Sequence, residues 1–115
     1  MRPADRDAAH LWDMLDAARR LSRMVEGMDF AGFLADERTG LAVERLLENI
    51  GEAASHVSQA RRASLAAIPW TQIIGMRNIL AHQYASIDRR RVWESATRDV
   101  PVLIDLLGEA TADGG

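Results

Sequence analysis

The stretch LAVERLLENIGEAASHV, residues 41–57, is the part of the sequence that decides the fold. Its apolar residues recur every three or four positions, which is the period of an α-helix with one buried face. The members of this apolar stripe are Val43, Leu46, Leu47, Ile50, Ala53, Ala54 and Val57. The stretch therefore predicts a long amphipathic helix, which begins at Asp36 or Thr39 because either side chain can cap a helix N-terminus.

Gly51 interrupts this helix in the middle of its apolar stripe. A glycine inside a helix costs about 1 kcal/mol relative to alanine, so we expect a second helix to cross closely at this point. Glu44, Glu48 and Glu52 follow at intervals of four residues along one face of the same helix. Such a row is usually solvated, but like charges at this spacing repel mildly, and the row could instead meet arginines of a partner or of a second protomer. Glu52, beside Gly51, is the one that we expect nearest to a functional site.

One long helix and a short connector are predicted ahead of this stretch. The long helix opens at Asp5 or Asp7, carries its own apolar stripe and ends at Gly27. Residues 29–33 form a connector of about one helical turn. The stripe of the first helix comprises Leu11, Met14, Leu15, Ala18, Leu21 and Val25.

Two more helices are predicted after residues 41–57. The apolar pattern weakens over residues 58–68, and Pro69 then starts a third helix, which we expect to end at residues 84–86. Asp88 caps a fourth helix, in which Pro101 removes one backbone hydrogen bond and should produce a kink. The core candidates of the third helix are Ile73, Ile74, Ile79 and Leu80.

These patterns predict an all-α fold, an antiparallel four-helix bundle with a short connector helix between the first two long helices. No alternating strand pattern occurs in the sequence. A chain of 115 residues has the length of one domain. We expect a single helical domain over residues 1–115, with its core at about residues 5–108 and a frayed tail at residues 111–115.

Cysteine and lysine are both absent, and all 14 basic residues are arginine. Without cysteine there is no disulfide framework or thiol nucleophile, and without lysine there is no Schiff base or P-loop lysine. His10 and His56 lack the spacing of a metal site, so we expect neither a metal nor a cofactor. No apolar run is long enough to span a membrane and the first ten residues are charged. We therefore expect no membrane span, no secretory signal and a cytoplasmic location.

The net charge of −3 hides an uneven distribution along the chain. Residues 59–93 contain six arginines and a single acid, a local charge of +5, so the remainder carries −8. No acid occurs over residues 53–87. The guanidinium fork of arginine binds phosphate oxygens through paired hydrogen bonds, and cations at a helix N-terminus oppose the helix dipole unless an anion joins them. The candidate contacts for phosphate or an acidic partner at the start of the fourth helix are Arg89, Arg90 and Arg91.

The segment GMRNILAHQY, residues 75–84, brings four functional side chains together in the sequence: Arg77, Asn78, His82 and Tyr84. Histidine titrates near neutral pH and can take the proton of an RNA 2′-hydroxyl, while arginine can stabilise the charge of the phosphorane. Tyrosine can stack on a base. On an ideal helix Arg77 and His82 lie about 140° apart, so they could converge on a ligand across a groove, near a frayed helix end or in a two-fold dimer. The same residues are also compatible with structural roles: a surface arginine, a hydrogen-bonded histidine at a helix end and a tyrosine wedged between helices.

The run Arg77-x4-His82-x-Tyr84 resembles the Arg-x4-His-x-Tyr motif of HEPN-domain ribonucleases, in particular the HepT toxin family. The bare pattern is weakly specific, but an ordered set of further segments is similar to that family as well, and the resemblance covers roughly residues 8–108. These segments are LAVERLLENIGEAA (residues 41–54), Ile68-Pro69-Trp70, Gly75-Met76-Arg77-Asn78 and Val92-Trp93.

This resemblance implies an all-α, HEPN-like homodimer in which two copies of the motif meet at a cleft between protomers. It implies that Arg77 and His82 are the catalytic pair of a metal-independent endoribonuclease and that Asn78 supports the site. Tyr84 would receive AMP from ATP through a cognate MntA-like nucleotidyltransferase antitoxin, and the added phosphate would block RNA by charge and bulk. The protein would then be the toxin of a type VII-like toxin–antitoxin module.

Two other functions are compatible with the sequence. The chain could be a non-catalytic helical dimer that binds a nucleotidyltransferase and only presents Tyr84 for modification. It could also be an RNA- or nucleotide-binding module without cleavage activity. A net charge of −3 is unusual for a chain that binds RNA, and the +5 segment around Arg77 and His82 offsets that objection.

Overall fold

Every regular element that the computed structural model describes, within residues 2–82 and 87–112, is helical. The α-helices in chain order are α1 (Pro3–Val25), α2 (Phe30–Ala35), α3 (Glu37–Ser55), α4 (Gln59–Ser64), α5 (Trp70–His82), α6 (Arg89–Glu94) and α7 (Val100–Ala112). A π-helical segment, Ser95–Asp99, joins α6 to α7. The predicted all-α bundle is confirmed, with α2 as the short connector between the first two long helices.

Short polar side chains start the helices where the sequence predicts them. Asp36 accepts hydrogen bonds from the backbone N–H of Thr39 at 3.0 Å and from its hydroxyl at 2.7 Å, which caps α3. Asp88 caps α6 by accepting from the backbone N–H of Arg90 at 2.9 Å. Helix α1 begins at Pro3, earlier than the predicted start, because a proline in the first helical turn loses no hydrogen bond.

Pro101 affects the turn that precedes it. In a regular α-helix the residue at this position donates its N–H to the carbonyl four residues earlier, and proline has no N–H to donate. The predicted disruption takes the form of π-helix over Ser95–Asp99, where the wider turn accommodates the proline ring without ending the helix. The hydroxyl of Thr97 donates to the carbonyl of Trp93 at 2.8 Å within this stretch.

The core is formed mainly by α1, α3 and α7, and α5 packs against α3. Helix α1 buries the whole of its predicted apolar stripe. An apolar cleft of about 240 Å³ separates part of α5 from α7. The apolar side chains that line it include Leu47, Ile50, Ile73, Met76, Leu103 and Leu106.

The apolar residues of helix α5 spread over a wide arc, with Thr71, Asn78 and His82 on the remaining side, and only Trp70 and Leu80 are buried. Ile73 and Ile74 are half-buried, whereas Ile79, which the sequence placed in the core, is 44% exposed. The prediction for Ile79 is wrong because the protomer covers its side chain only in part.

A buried acid ties the first helix to α4. Asp7 accepts hydrogen bonds from the backbone N–H of Ser58 at 2.8 Å and from its hydroxyl at 2.6 Å. Burial by itself would raise the pKa of the Asp7 carboxyl, but the two hydrogen bonds from Ser58 outweigh it and hold the pKa below its usual 3.8. The Ser58 hydroxyl in turn accepts from the backbone N–H of Arg61 at 3.2 Å and so caps α4.

The last helix extends into the segment that was expected to fray. Helix α7 continues through Ala112, and the buried hydroxyl of Thr111 donates to the carbonyl of Leu107 at 2.8 Å. Residues 113–115 lie outside the described part of the chain. None of the described helices is both long enough and apolar enough to cross a membrane.

Candidate active site

Helix α5 carries three of the four side chains that the sequence selected. Pro69 precedes the helix, and the indole N–H of Trp70 donates to the carbonyl of Leu65 at 3.1 Å, which fixes its first turn. Arg77, Asn78 and His82 then follow on the last two turns. Tyr84 lies outside the described residues.

Gly51 determines how closely α3 approaches this helix. A Cβ atom added at Gly51 would overlap the Cβ and Cγ atoms of Arg77 and would lie 3.0 Å from the carbonyl oxygen of Ile73. The prediction of a close helix crossing at Gly51 is therefore confirmed, and the crossing occurs at Arg77 itself. Because Glu52 is the next residue on α3, the crossing also brings a carboxylate to the arginine.

Arg77 makes two hydrogen bonds at this crossing. Its Nη2 donates to Oε2 of Glu52 at 2.6 Å, and its Nη1 donates to Oδ1 of Asn78 at 2.9 Å. The Arg77 side chain is still 30% exposed, so the guanidinium is fixed in place while part of it faces solvent. Glu52, the glutamate that was expected nearest to the site, is the one that contacts it.

The second carboxylate oxygen of Glu52 contacts a histidine. Nε2 of His56 lies 3.1 Å from Oε1 of Glu52, and because an ionised carboxylate can only accept, this nitrogen carries the proton. The hydrogen bond from His56, followed by the positive charge of Arg77, lowers the pKa of the Glu52 carboxyl below its usual 4.5. Glu52 is therefore ionised at neutral pH.

The network extends to a third helix through His10. The rings of His10 and His56 are stacked, with centroids 5.2 Å apart and planes inclined by 28°. Sequence reasoning treated both histidines as isolated. The spacing of four residues between Glu52 and His56 could have indicated their contact, whereas no pattern in the sequence connects His10 on α1 with α3.

The structure does not bring Arg77 and His82 together within the protomer. Both belong to the regular helix α5, so their side chains leave it about 140° apart. His82 is exposed at the end of the helix, and no hydrogen bond joins it to Arg77 among the described residues. A single protomer therefore does not bring Arg77 and His82 to one side of α5.

The arginines around the motif contact their own protein. The guanidinium of Arg90 lies 4.1 Å from the ring centre of Phe30, Arg91 lies 3.9 Å from Asp99, and Nη1 of Arg89 lies against Gly40. These contacts fasten α6 to α2, to the π-helical segment and to α3.

Arg62 has a structural role in the same basic segment. It donates to the carbonyls of Ser55 and Val57, both at 3.0 Å, at the end of α3. The acid-free stretch of sequence over residues 53–87 is also not acid-free in space, because α3 brings Glu52 to Arg77. Among the described residues, no group of three or more acidic or histidine side chains is placed to hold a metal ion.

Comparisons with known proteins show which family the chain is similar to. The profile of the family described as ribonuclease HepT-like matches residues 14–110. A Methanocaldococcus jannaschii protein named for an inferred RNase activity is 34% identical over 93 residues, which cover 81% of this chain and 85% of the relative. A Thermococcus cleftensis protein named as a probable ribonuclease HepT is 33% identical over 94 residues, which cover 82% of this chain and 86% of the relative. No solved structure matches the chain.

The all-helical fold and the match to the family profile place the chain in the HEPN ribonuclease class. Within that class, the chain belongs to the HepT-like ribonuclease family.

Proposed function

We propose that this protein is a metal-independent endoribonuclease that acts as a cytoplasmic toxin, with Arg77 and His82 as its catalytic pair. The observation that carries the proposal is the geometry at Arg77. A guanidinium held by Glu52 and Asn78, with part of its surface open to solvent, is a fixed positive charge available to a phosphodiester. His82, exposed on the following turn, is accessible to act as a base.

The reaction requires two proton transfers and one displacement at phosphorus. His82 takes the proton of the RNA 2′-hydroxyl, and the 2′-oxygen forms a bond to the adjacent phosphorus. The bond from phosphorus to the 5′-oxygen breaks, and the leaving oxygen takes up a proton. The products are a 2′,3′-cyclic phosphate end and a 5′-hydroxyl end, and Arg77 stabilises the additional negative charge on the phosphoryl oxygens during the step.

A homodimer is part of the proposal, because one protomer does not place both groups on one ligand. The exposed Ile79 and the half-buried Ile73, Ile74 and Met76 give α5 an apolar surface that its own protomer leaves partly uncovered. A second copy that packs against α5 would cover this surface and bring two copies of the motif to one cleft.

Regulation by AMP transfer is the finer part of the proposal. A cognate MntA-like nucleotidyltransferase would join the Tyr84 hydroxyl oxygen to the α-phosphorus of ATP and release pyrophosphate. Tyr84 follows His82 by two residues, so the new phosphate would add negative charge and bulk beside the catalytic pair. RNA would then be excluded by repulsion and by steric overlap.

RNA cleavage by the purified protein, free of any antitoxin, tests the catalytic part. Total cellular RNA should be cut in the presence of EDTA, and the new ends should be cyclic phosphates. Arg77→Ala and His82→Ala should each lower the rate by about 100-fold or more, while the exposed Arg98→Ala should cleave at the wild-type rate. A wild-type protein that binds RNA without cutting it would instead be an RNA-binding module.

Growth inhibition separates catalysis from mere presentation of Tyr84. His82→Ala should relieve the growth defect that the wild-type chain causes. Toxicity that survives Arg77→Ala and disappears only when the dimer is broken would identify a non-catalytic partner of a nucleotidyltransferase.

Intact-mass measurement after co-expression with the neighbouring nucleotidyltransferase tests the modification. The protein should gain mass in multiples of AMP, and Tyr84→Phe should gain none. Adducts that persist on Tyr84→Phe would rule out Tyr84 as the acceptor.

A further inference from the structure

Glu52 stands out because its two carboxylate oxygens have different partners on different sides. Oε2 accepts from Arg77 on α5 at 2.6 Å, and Oε1 accepts from His56 on its own helix at 3.1 Å. The stacked His10 ring adds a contact from α1 behind His56. The Glu52 carboxylate therefore contacts His56 through one oxygen and Arg77 through the other.

The contacts with Glu52 and Asn78 use only some of the N–H donors of Arg77. A guanidinium has five N–H donors, and in this structure one is directed at Glu52 and one at Asn78. The other three make no hydrogen bond to the described residues, and part of the guanidinium is exposed, so donors remain for the oxygens of a phosphodiester. Glu52 on α3 and Asn78 on α5 together fix the plane of the Arg77 guanidinium. Without these two contacts, a flexible side chain that is 30% exposed would not keep one orientation.

Glu48 shows that a place in the row of Glu44, Glu48 and Glu52 does not by itself bring a carboxylate to Arg77. Glu48, one turn before Glu52 on the same face of α3, lies 3.7 Å from the surface residue Arg45. Glu52 differs because it follows Gly51, where α3 and α5 approach each other most closely. The close crossing, and not the spacing of the acids, selects the residue that reaches Arg77.

We propose that Glu52 is a positioning residue for the RNA-cleaving site: it orients the Arg77 guanidinium toward the scissile phosphate and is itself held in place by His56. This inference rests on the proposed ribonuclease function of Arg77. Glu52 does not touch the RNA in this scheme, and its negative charge opposes RNA binding while its geometry favours the transition state. A positioning role therefore affects kcat and KM in different ways, which a purely structural role does not.

The kinetic test compares Glu52→Gln with Glu48→Gln. The substrate is a labelled RNA oligonucleotide that spans a cut site mapped with the wild-type protein. Glu52→Gln should lower kcat about 10-fold or more, since small displacements of a catalytic group can cost up to about 100-fold. KM should stay the same or fall, because one negative charge near the RNA is removed. Glu48→Gln should keep the wild-type kcat, and a wild-type kcat in Glu52→Gln would overturn the proposal.

Variants of His56 test whether the second anchor matters. His56→Ala removes the donor to Oε1 and should lower kcat about two- to tenfold, a smaller effect than the loss of the carboxylate. His56→Gln keeps an N–H donor and should restore kcat to within about twofold of the wild type. If both variants cleave like the wild type, His56 has no part in positioning and that half of the proposal is wrong.

A measurement without RNA separates this inference from the proposed function. The side-chain Nε–Hε NMR signal of Arg77, assigned by its loss in Arg77→Lys, should shift or broaden in Glu52→Gln but not in Glu48→Gln. If the wild type cuts no RNA but this signal responds, the proposed function fails and the contact between Glu52 and Arg77 stands. If the wild type cuts RNA and the signal does not respond, the positioning role fails and the proposed function stands.

Discussion

Helices α1 and α5 both pack against α3, yet they use their apolar residues differently. In α1 six apolar residues form one stripe that is buried against α3 and α7, while Trp12 and Met24, outside that stripe, are 48% and 46% exposed. In α5 the apolar residues spread over a wide arc, and only Trp70 and Leu80 are buried. The first helix is therefore held by a continuous buried stripe, whereas the second is held by fewer buried residues.

The difference shows which task each helix performs. A single stripe is sufficient to hold a helix in the core. On α5 Ile79 is 44% exposed on the same helix as Arg77 and His82. A second protomer that covers Ile79, as the proposed dimer requires, would lie beside both side chains.

The largest expected effect is the loss of core packing in α1. Leu15 is fully buried, so Leu15→Ala should lower the free energy of unfolding by about 2–5 kcal/mol. Leu34 on α2 is 47% exposed, and Leu34→Ala should change it by no more than about 0.5 kcal/mol. Denaturant unfolding at one fixed protein concentration measures both, and equal effects would contradict the assignment of α1 to the core.

The next largest effect is expected where α3 crosses α5. Gly51→Ala adds a Cβ that overlaps the side chain of Arg77, so the helices must separate at a cost of about 1–3 kcal/mol. The separation should also move Glu52 away from Arg77 and lower RNA cleavage. Gly75→Ala is the matched control, since a Cβ there has no neighbouring atom within 4 Å, and it should be neutral or stabilising by up to about 1 kcal/mol. Wild-type stability of Gly51→Ala would disprove the close crossing.

A smaller effect, dependent on pH, is expected near the start of α1, at Asp7. Asp7→Asn weakens the hydrogen bonds from Ser58 and should cost about 1–2 kcal/mol of unfolding free energy at pH 7. Because the folded-state pKa of Asp7 lies below its usual 3.8, this contribution is present above about pH 4 and is lost as the pH falls through the lowered value. The difference in unfolding free energy between wild type and Asp7→Asn should therefore be smaller at pH 3 than at pH 7. Asp5→Asn, on the exposed side of the same helix, should show no such dependence.

The smallest effect on the stability of the protomer is expected at the exposed Ile79 of α5. Ile79→Ser should change the stability of the folded protomer by no more than about 0.5 kcal/mol. It should nevertheless raise the dissociation constant of a dimer about tenfold or more, because a two-fold interface loses the side chain twice. Sedimentation velocity over a range of concentrations measures this, with Leu34→Ser as the control. An unchanged dimer, or a wild type that is monomeric, would contradict the role given to this surface.

Much of the fold could be predicted because each prediction depended on local chemistry. Asp36 and Asp88 cap helices where their side chains can reach backbone N–H groups two or three residues ahead. The stripes of α1 and α3 follow the helical period and are buried accordingly. Ile79 was assigned wrongly because the apolar residues of α5 spread over a wide arc, and their period does not indicate which part of that arc faces the core.

The site could be predicted only in part, because some of its contacts join residues that are far apart in the sequence. Arg77, Asn78 and His82 are close in sequence, and their clustering is visible without a structure. The contact between Arg77 and Glu52 joins residues 25 positions apart, and the stacking of His10 on His56 joins helices with no related pattern. The sequence offered only Gly51 as an indirect sign of that crossing.

The sequence by itself determined the helices, their caps, the absence of cysteine and lysine, and the run of residues that carries Arg77 and His82. Those features depend on side-chain type and on spacing along one element. Only the tertiary structure decided that an acid lies beside Arg77, that the arginines of α6 contact their own protein, and that α5 keeps an uncovered apolar side. These features depend on which helices meet and how closely, and that is set by packing between residues far apart in the chain.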